Sequence, residues 1–137
     1  MTRIDFYQLT GERLNRDGLV SKLCHKAFAA GHKTLLLAAD AGQAEHLDRL
    51  LWTSDDDSFL PHDRVEQSDF VTPLLVTHEA DPRGERELLI NLSHDIPLYF
   101  AQFERVIEIV TDDNRENSRA HYSYYKDRGY QLHHHTL

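Results

Sequence analysis

Lys33-Thr34-Leu35-Leu36-Leu37-Ala38-Ala39, followed at once by Asp40-Ala41-Gly42-Gln43, is the stretch that decides the fold. A strand with one wet face alternates apolar and polar residues, whereas an unbroken apolar run belongs to a strand covered on both faces, as in a helix-flanked parallel sheet. Asp40 and Gln43 have capping-box spacing and open a helix running through Leu51. Upstream, Ile4-Asp5-Phe6-Tyr7-Gln8-Leu9 alternates like a half-buried strand. Asn15-Arg16-Asp17-Gly18 then supplies turn and capping chemistry before a helical pattern from Leu19 to Ala30, which Gly31 ends. The chain thus begins strand, helix, strand, helix.

Downstream, 63–70 reads as a polar loop, Pro73 to Thr77 as a short strand, and Asp81-Pro82-Arg83-Gly84 as a turn. Arg86 to Leu92 is a further strand, Pro97 to Phe103 a short helix, and Arg105 to Val110 a strand. A capped helix runs from Asp113 to Arg128, Gly129 closes it, and Tyr130-Gln131-Leu132 forms a last edge strand. His133-His134-His135 is expected to be a frayed tail. The alternation predicts a single α/β domain over 1–137, Rossmann-like without a P-loop, with a central, mostly parallel sheet flanked by helices. The strands either side of the Pro82-Gly84 turn can pair antiparallel, which would make the sheet mixed.

With 137 residues, 40% of them hydrophobic, the chain can bury a core without metals or disulfides. Cys24 is its single cysteine, and neither a leader-like segment nor an apolar run of membrane-spanning length is evident, so a cytoplasmic protein with no membrane association is expected. A formal charge of −8 repels phosphate backbones, which argues against direct, non-specific nucleic-acid binding. The charge is uneven, however: acids gather in the middle, and Arg115, Arg119, Lys126 and Arg128 near the end.

The chemistry expected of a nucleotide-binding scaffold is missing. Gly31-His32-Lys33-Thr34 resembles the end of a P-loop, but Lys26 stands where its first glycine belongs, and the order is helix to strand, the reverse of what aims backbone N–H groups at phosphate. No GxGxxG follows the first strand. None of the ten histidines has metal-site spacing. Ser93-His94-Asp95 has triad residue types, but chain neighbours point in different directions. Asp55-Asp56-Asp57 reads as a solvated acidic loop, and Cys24 as a buried structural thiol. No metal or cofactor is expected.

Two clusters remain. Trp52 leaves the second helix, and beyond an acidic run come Phe59, Leu60, Pro61 and His62, apolar groups in a surface connection that either anchor a partner or fold back over their own core. On the last helix Arg115, Arg119, Tyr122 and Lys126 fall on one stripe. Guanidinium groups bind carboxylates bidentately, and a tyrosine ring, with Val110 at the preceding strand's end, can floor a small apolar pocket. The other reading of that stripe is an exposed face paired with Asp112, Asp113 and Glu116.

Phe6-Tyr7-Gln8-Leu9, Leu47-Asp48-Arg49-Leu50-Leu51-Trp52, Ser58-Phe59-Leu60-Pro61-His62, Leu89-Ile90-Asn91-Leu92, Phe103 and Tyr125-Lys126-Asp127-Arg128-Gly129-Tyr130 together resemble, in collinear order, the chi subunit of bacterial DNA polymerase III. The resemblance implies a non-catalytic α/β accessory subunit for DNA replication. Its partners would be the psi subunit, through it the clamp loader, and the acidic, phenylalanine-ended tail of single-stranded DNA-binding protein, with DNA reached only indirectly. It also implies that Trp52, Phe59, Leu60 and Pro61 form the apolar anchor for psi. Arg115 and Arg119 would take the carboxylates of the tail, Tyr122 and Val110 its terminal ring, with Lys126 assisting. Two departures stand out: the loop after Val110 is shorter than in the best-known member, and Ser123 occupies a place where a second basic residue can occur. The alternative from another class is a small nucleotide- or nucleic-acid-modifying enzyme on a Rossmann-like scaffold.

Overall fold

A computed structural model of the chain describes residues 2–9, 16–53, 63–64, 74–78 and 87–136. Seven strands form one sheet: β1 (Arg3–Gln8), β2 (Thr34–Leu37), β3 (Asp63–Arg64), β4 (Leu74–Thr77), β5 (Leu88–Asn91), β6 (Arg105–Val110) and β7 (Gln131–Thr136). The helices are α1 (Arg16–Ala29), α2 (Ala41–Thr53) and α3 (Arg115–Asp127). The strand order is β3-β4-β2-β5-β6-β1-β7, and every pairing is parallel. The antiparallel option is corrected by β2, which lies between β4 and β5 and pairs with both. All four residues of β2, of β4 and of β5 are buried, so these strands need cover on both faces, which helices on either side supply.

Period-two alternation divides the core into two layers. Leu36, Val76, Ile90, Ile107 and Ile109 pack on one side with Leu19, Val20, Leu23 and Cys24 of α1 and Leu47 and Leu51 of α2. Ile4, Phe6, Leu35, Leu37, Leu75, Leu89 and Val106 pack on the other with Tyr99, Phe100, Phe103 and Tyr125 of α3. Cys24 is 2% exposed, and burial pushes its thiol up to about 12, a structural group rather than a nucleophile.

The element ends have identifiable chemistry. At α2 the Gln43 N–H donates to Asp40 Oδ1 (2.7 Å), and Gln43 Oε1 accepts from the Ala39 N–H (2.6 Å). Gly31 and Gly129 follow α1 and α3 at φ +79° and +78°, a conformation costly for any residue with a Cβ. Pro97 to Phe103 contains only a 3-10 turn, Phe100–Gln102, and another, Asp112–Asn114, leads into α3. Asp63 and Arg64, expected in a loop, make the short edge strand β3 beside β4. The histidine run is not a frayed tail: His133, His134 and His135 pair in register with Asp5, Phe6 and Tyr7. Parallel pairing to β1 supplies backbone partners that no local pattern announces.

Candidate functional site

Helix α3 is bolted to the sheet by buried polar groups. Glu108 of β6 points into the apolar layer beneath α3, 4% exposed. Its Oε1 accepts from His121 Nδ1 (2.9 Å), and its Oε2 from the Tyr125 hydroxyl (2.8 Å) and Asn91 Nδ2 (2.9 Å). His121 Nε2 donates to the His94 carbonyl (2.7 Å). Both ring nitrogens thus face acceptors, the arrangement of an imidazolium. Burial acts to lower the His121 pKa, but the hydrogen bond and charge of Glu108, aided by the His94 carbonyl, hold it above the ordinary histidine range. Burial and the nearby Glu108 carboxylate push the Tyr125 hydroxyl far upward, so it serves only as a donor.

This clamp sets the register of the residues flanking His121. Arg119 and Tyr122 look onto a cavity of about 260 Å³ between α3 and the β6-β1-β7 end of the sheet. Its floor is apolar: Val110, Phe6 and the Tyr122 ring, whose centroid lies 5.4 Å from that of Phe6. Its rim is polar, made by Arg115, Ser118 and Arg119 of α3, Gln8 of β1 and His134 of β7. Arg115 Nη2 binds Asp112 Oδ1 at 2.8 Å, and among the described residues Arg119 has no ion pair. A cavity of roughly 150 Å³ already holds a benzene ring, so this one has room for a phenyl group and an attached carboxylate.

Four of the five tail-site residues expected from the sequence, Val110, Arg115, Arg119 and Tyr122, therefore line one cavity. Lys126, a turn further along α3, is exposed and does not line it. Arg128 is turned elsewhere, its guanidinium carbon 3.5 Å from the Tyr124 ring centroid. Phe6, Gln8, Ser118 and His134 complete the lining and carry no site signal in the sequence itself. Phe6 and Gln8 share one parity in β1, the only available signal, and it does not say which helix covers that face. Trp52 is the penultimate residue of α2, and Phe59, Leu60 and Pro61 lie outside the described residues.

On the opposite sheet face Asp5, fully buried, accepts from Arg3 (3.2 Å), Arg105 (2.6 Å) and His135 (3.0 Å). Burial acts to raise its pKa, but the His135 and Arg105 hydrogen bonds and the Arg105 charge outweigh it and hold the carboxyl below the usual range. At the carboxyl ends of β2 and β5, where doubly wound folds bind ligands, the Asp40 carboxylate already takes the N–H at the start of α2 that a phosphate would use. Ser93 Oγ lies 2.6 Å from Asn91 Oδ1 and 2.7 Å from the Asp95 carbonyl, so its one hydrogen is held between these oxygens rather than given to an imidazole. Among the described residues no three His, Cys, Asp or Glu side chains gather as a metal site, and no helix is long and apolar enough to cross a membrane.

Parallel strands with α1 and α2 over one face and α3 over the other define an α/β protein of the Rossmann-like class. The solved structure titled "The crystal structure of T4 UvsW" shares this fold at TM-score 0.67 and 7% identity, over 99% of this chain and 41% of that one. Within that class the chain belongs to the DNA polymerase III chi subunit family, whose model, described as "DNA polymerase III chi subunit, HolC", matches residues 1–133. Relatives named DNA polymerase III subunit chi include that of Pseudomonas aeruginosa, 33% identical and covering 100% of this chain and 98% of its own length. That of Haemophilus influenzae is 28% identical over 93% and 92%, and that of Escherichia coli 25% identical over 83% and 80%.

Proposed function

We propose that the protein is a non-catalytic accessory subunit of the replicative polymerase assembly that joins the psi subunit, and through it the clamp loader, to the acidic tail of single-stranded DNA-binding protein. The observation that carries the reading is the cavity beside α3: an apolar floor of Phe6, Val110 and Tyr122 under a rim bearing Arg115 and Arg119. That pairing suits a peptide ending in a phenyl side chain and a free carboxylate, since guanidinium groups bind carboxylates with charge-assisted hydrogen bonds. A charge of −8 over the whole chain favours contact with DNA through partners rather than directly. The anchor for psi is assigned to Trp52, Phe59, Leu60 and Pro61, because aromatic side chains seated in a partner's pocket dominate such interfaces.

Titration calorimetry with a synthetic acidic peptide ending in phenylalanine tests the cavity. Arg119→Ala should weaken binding by about 1–3 kcal/mol, and affinity should fall as salt rises. An unchanged dissociation constant rules the cavity out as the tail site.

A further inference from the structure

We infer that His134 is a specificity-determining residue of the α3 cavity, an imidazole facing the arginine-bearing helix that binds an acidic ligand more tightly as it takes up a proton. The inference rests on the peptide-binding reading above and adds to it a sheet-edge wall responsive to pH. The histidine run alternates across β7, so its members reach different faces. His135 is committed to the far face, where its Nε2 lies 3.0 Å from Asp5 Oδ1 and its ring stacks on Tyr7 with centroids 4.7 Å apart. His134 sits in register with Phe6 and shares with it the lining of the cavity.

The orientation of His134 is set by a neighbour. Its Nε2 is 3.0 Å from Gln8 Oε1, and an amide oxygen only accepts, so Nε2 carries hydrogen and any added proton goes to Nδ1. The titratable or polar residues that share the cavity with it are Arg115, Ser118, Arg119 and Tyr122 from α3 and the uncharged Gln8 from β1. Asp112, in the turn ahead of α3, is engaged by Arg115. Among the described residues no carboxylate lines the cavity. The counter-ion for an imidazolium there is therefore the ligand's own carboxylate, and ligand and proton are taken up together. Histidine is the side chain suited to this coupling, because its charge changes between about pH 5 and 8 while peptide carboxylates stay ionised.

The test is calorimetry of the full chain with the acidic, phenylalanine-ended peptide at about pH 6 and about pH 8. Wild type should bind roughly three- to tenfold tighter at the lower pH, the effect of one exposed charge, and buffers of different ionisation enthalpy should reveal proton uptake on binding. His134→Gln, which keeps a partner for Gln8, should lose most of that pH dependence and bind as wild type does at the higher pH. His134→Lys should bind tightly at both. A full pH dependence and proton uptake in His134→Gln overturn the inference, since other histidines then supply them. Arg119→Ala is the companion measurement: if it binds as wild type does, the peptide-binding reading itself has failed, whereas a weakened Arg119→Ala beside an unaltered His134→Gln removes only the role of His134.

Discussion

At the residue scale the decisive group is Glu108, a buried carboxylate flanked in β6 by Ile107 and Ile109. Three donors from β5 and α3 converge on it, and removing it takes from each a buried acceptor, leaving His121 Nδ1 and the Tyr125 hydroxyl unpaired in the core. Glu108→Ala should destabilise the fold by about 3–5 kcal/mol, the cost of leaving a buried charge without its partner, as read by urea denaturation. The pH dependence has a definite sign. The pKa of His121 is raised in the folded state, so its contribution is complete below the ordinary histidine value of 6.5 and is lost as pH rises through the folded value. Wild-type stability should therefore decline as pH rises from about 6.5 through the folded value, and His121→Asn should flatten the decline. Asp5 acts in the opposite window: its depressed pKa keeps its contribution intact above 3.8, to be lost as pH falls through the folded value. A stability profile of His121→Asn indistinguishable in slope from wild type counts against the Glu108–His121 pair.

At the element scale the sequence is informative wherever the determining forces are local. The apolar run at Leu35–Leu37, the cap at Asp40 and the stop at Gly31 act within a few residues, and β2, α2 and the end of α1 follow from them. Asp40→Ala removes an N-cap acceptor and should cost about 1 kcal/mol, with little change if the substitute is Asn. Thermal denaturation of the two variants checks this, and equal losses would mean that the Asp40 charge, rather than its hydrogen bond, matters to α2. The sequence is silent where an element or its extension exists only because of a distant neighbour. His133-His134-His135 has no strand-like alternation, yet extends the expected edge strand through Thr136 as part of β7, because β1 presents an unpaired edge to it. Asp63 and Arg64 are similarly drawn into β3 by β4. The cavity was half legible: the i, i+4, i+7 stripe of Arg115, Arg119 and Tyr122 is a property of one helix, while the opposing wall comes from β1 and β7.

At the scale of the whole molecule the proposed function requires two separable surfaces on one rigid sheet. Trp52 lies in the last turn of α2, and α2 packs on the face opposite α3, so Trp52 and the α3 cavity belong to elements on different layers. Trp52→Ala should abolish co-purification with psi while tail-peptide affinity stays within about twofold, the behaviour of sites that share no partners. Joint loss of both activities would show that the two surfaces are not independent.

The sequence by itself determined the α/β class, the central strands, the helix caps and the basic stripe on α3, because each depends on periodicity or on hydrogen bonds between near neighbours. The tertiary structure alone decided that every strand is parallel, that Glu108 and His121 meet, and that Phe6, Gln8 and His134 complete the cavity with Tyr122. Those contacts join residues far apart in the chain, from β1 near its start to α3 and β7 near its end. Which distant elements become neighbours is set by burying both faces of the sheet at once, a condition on the whole chain that no local window contains.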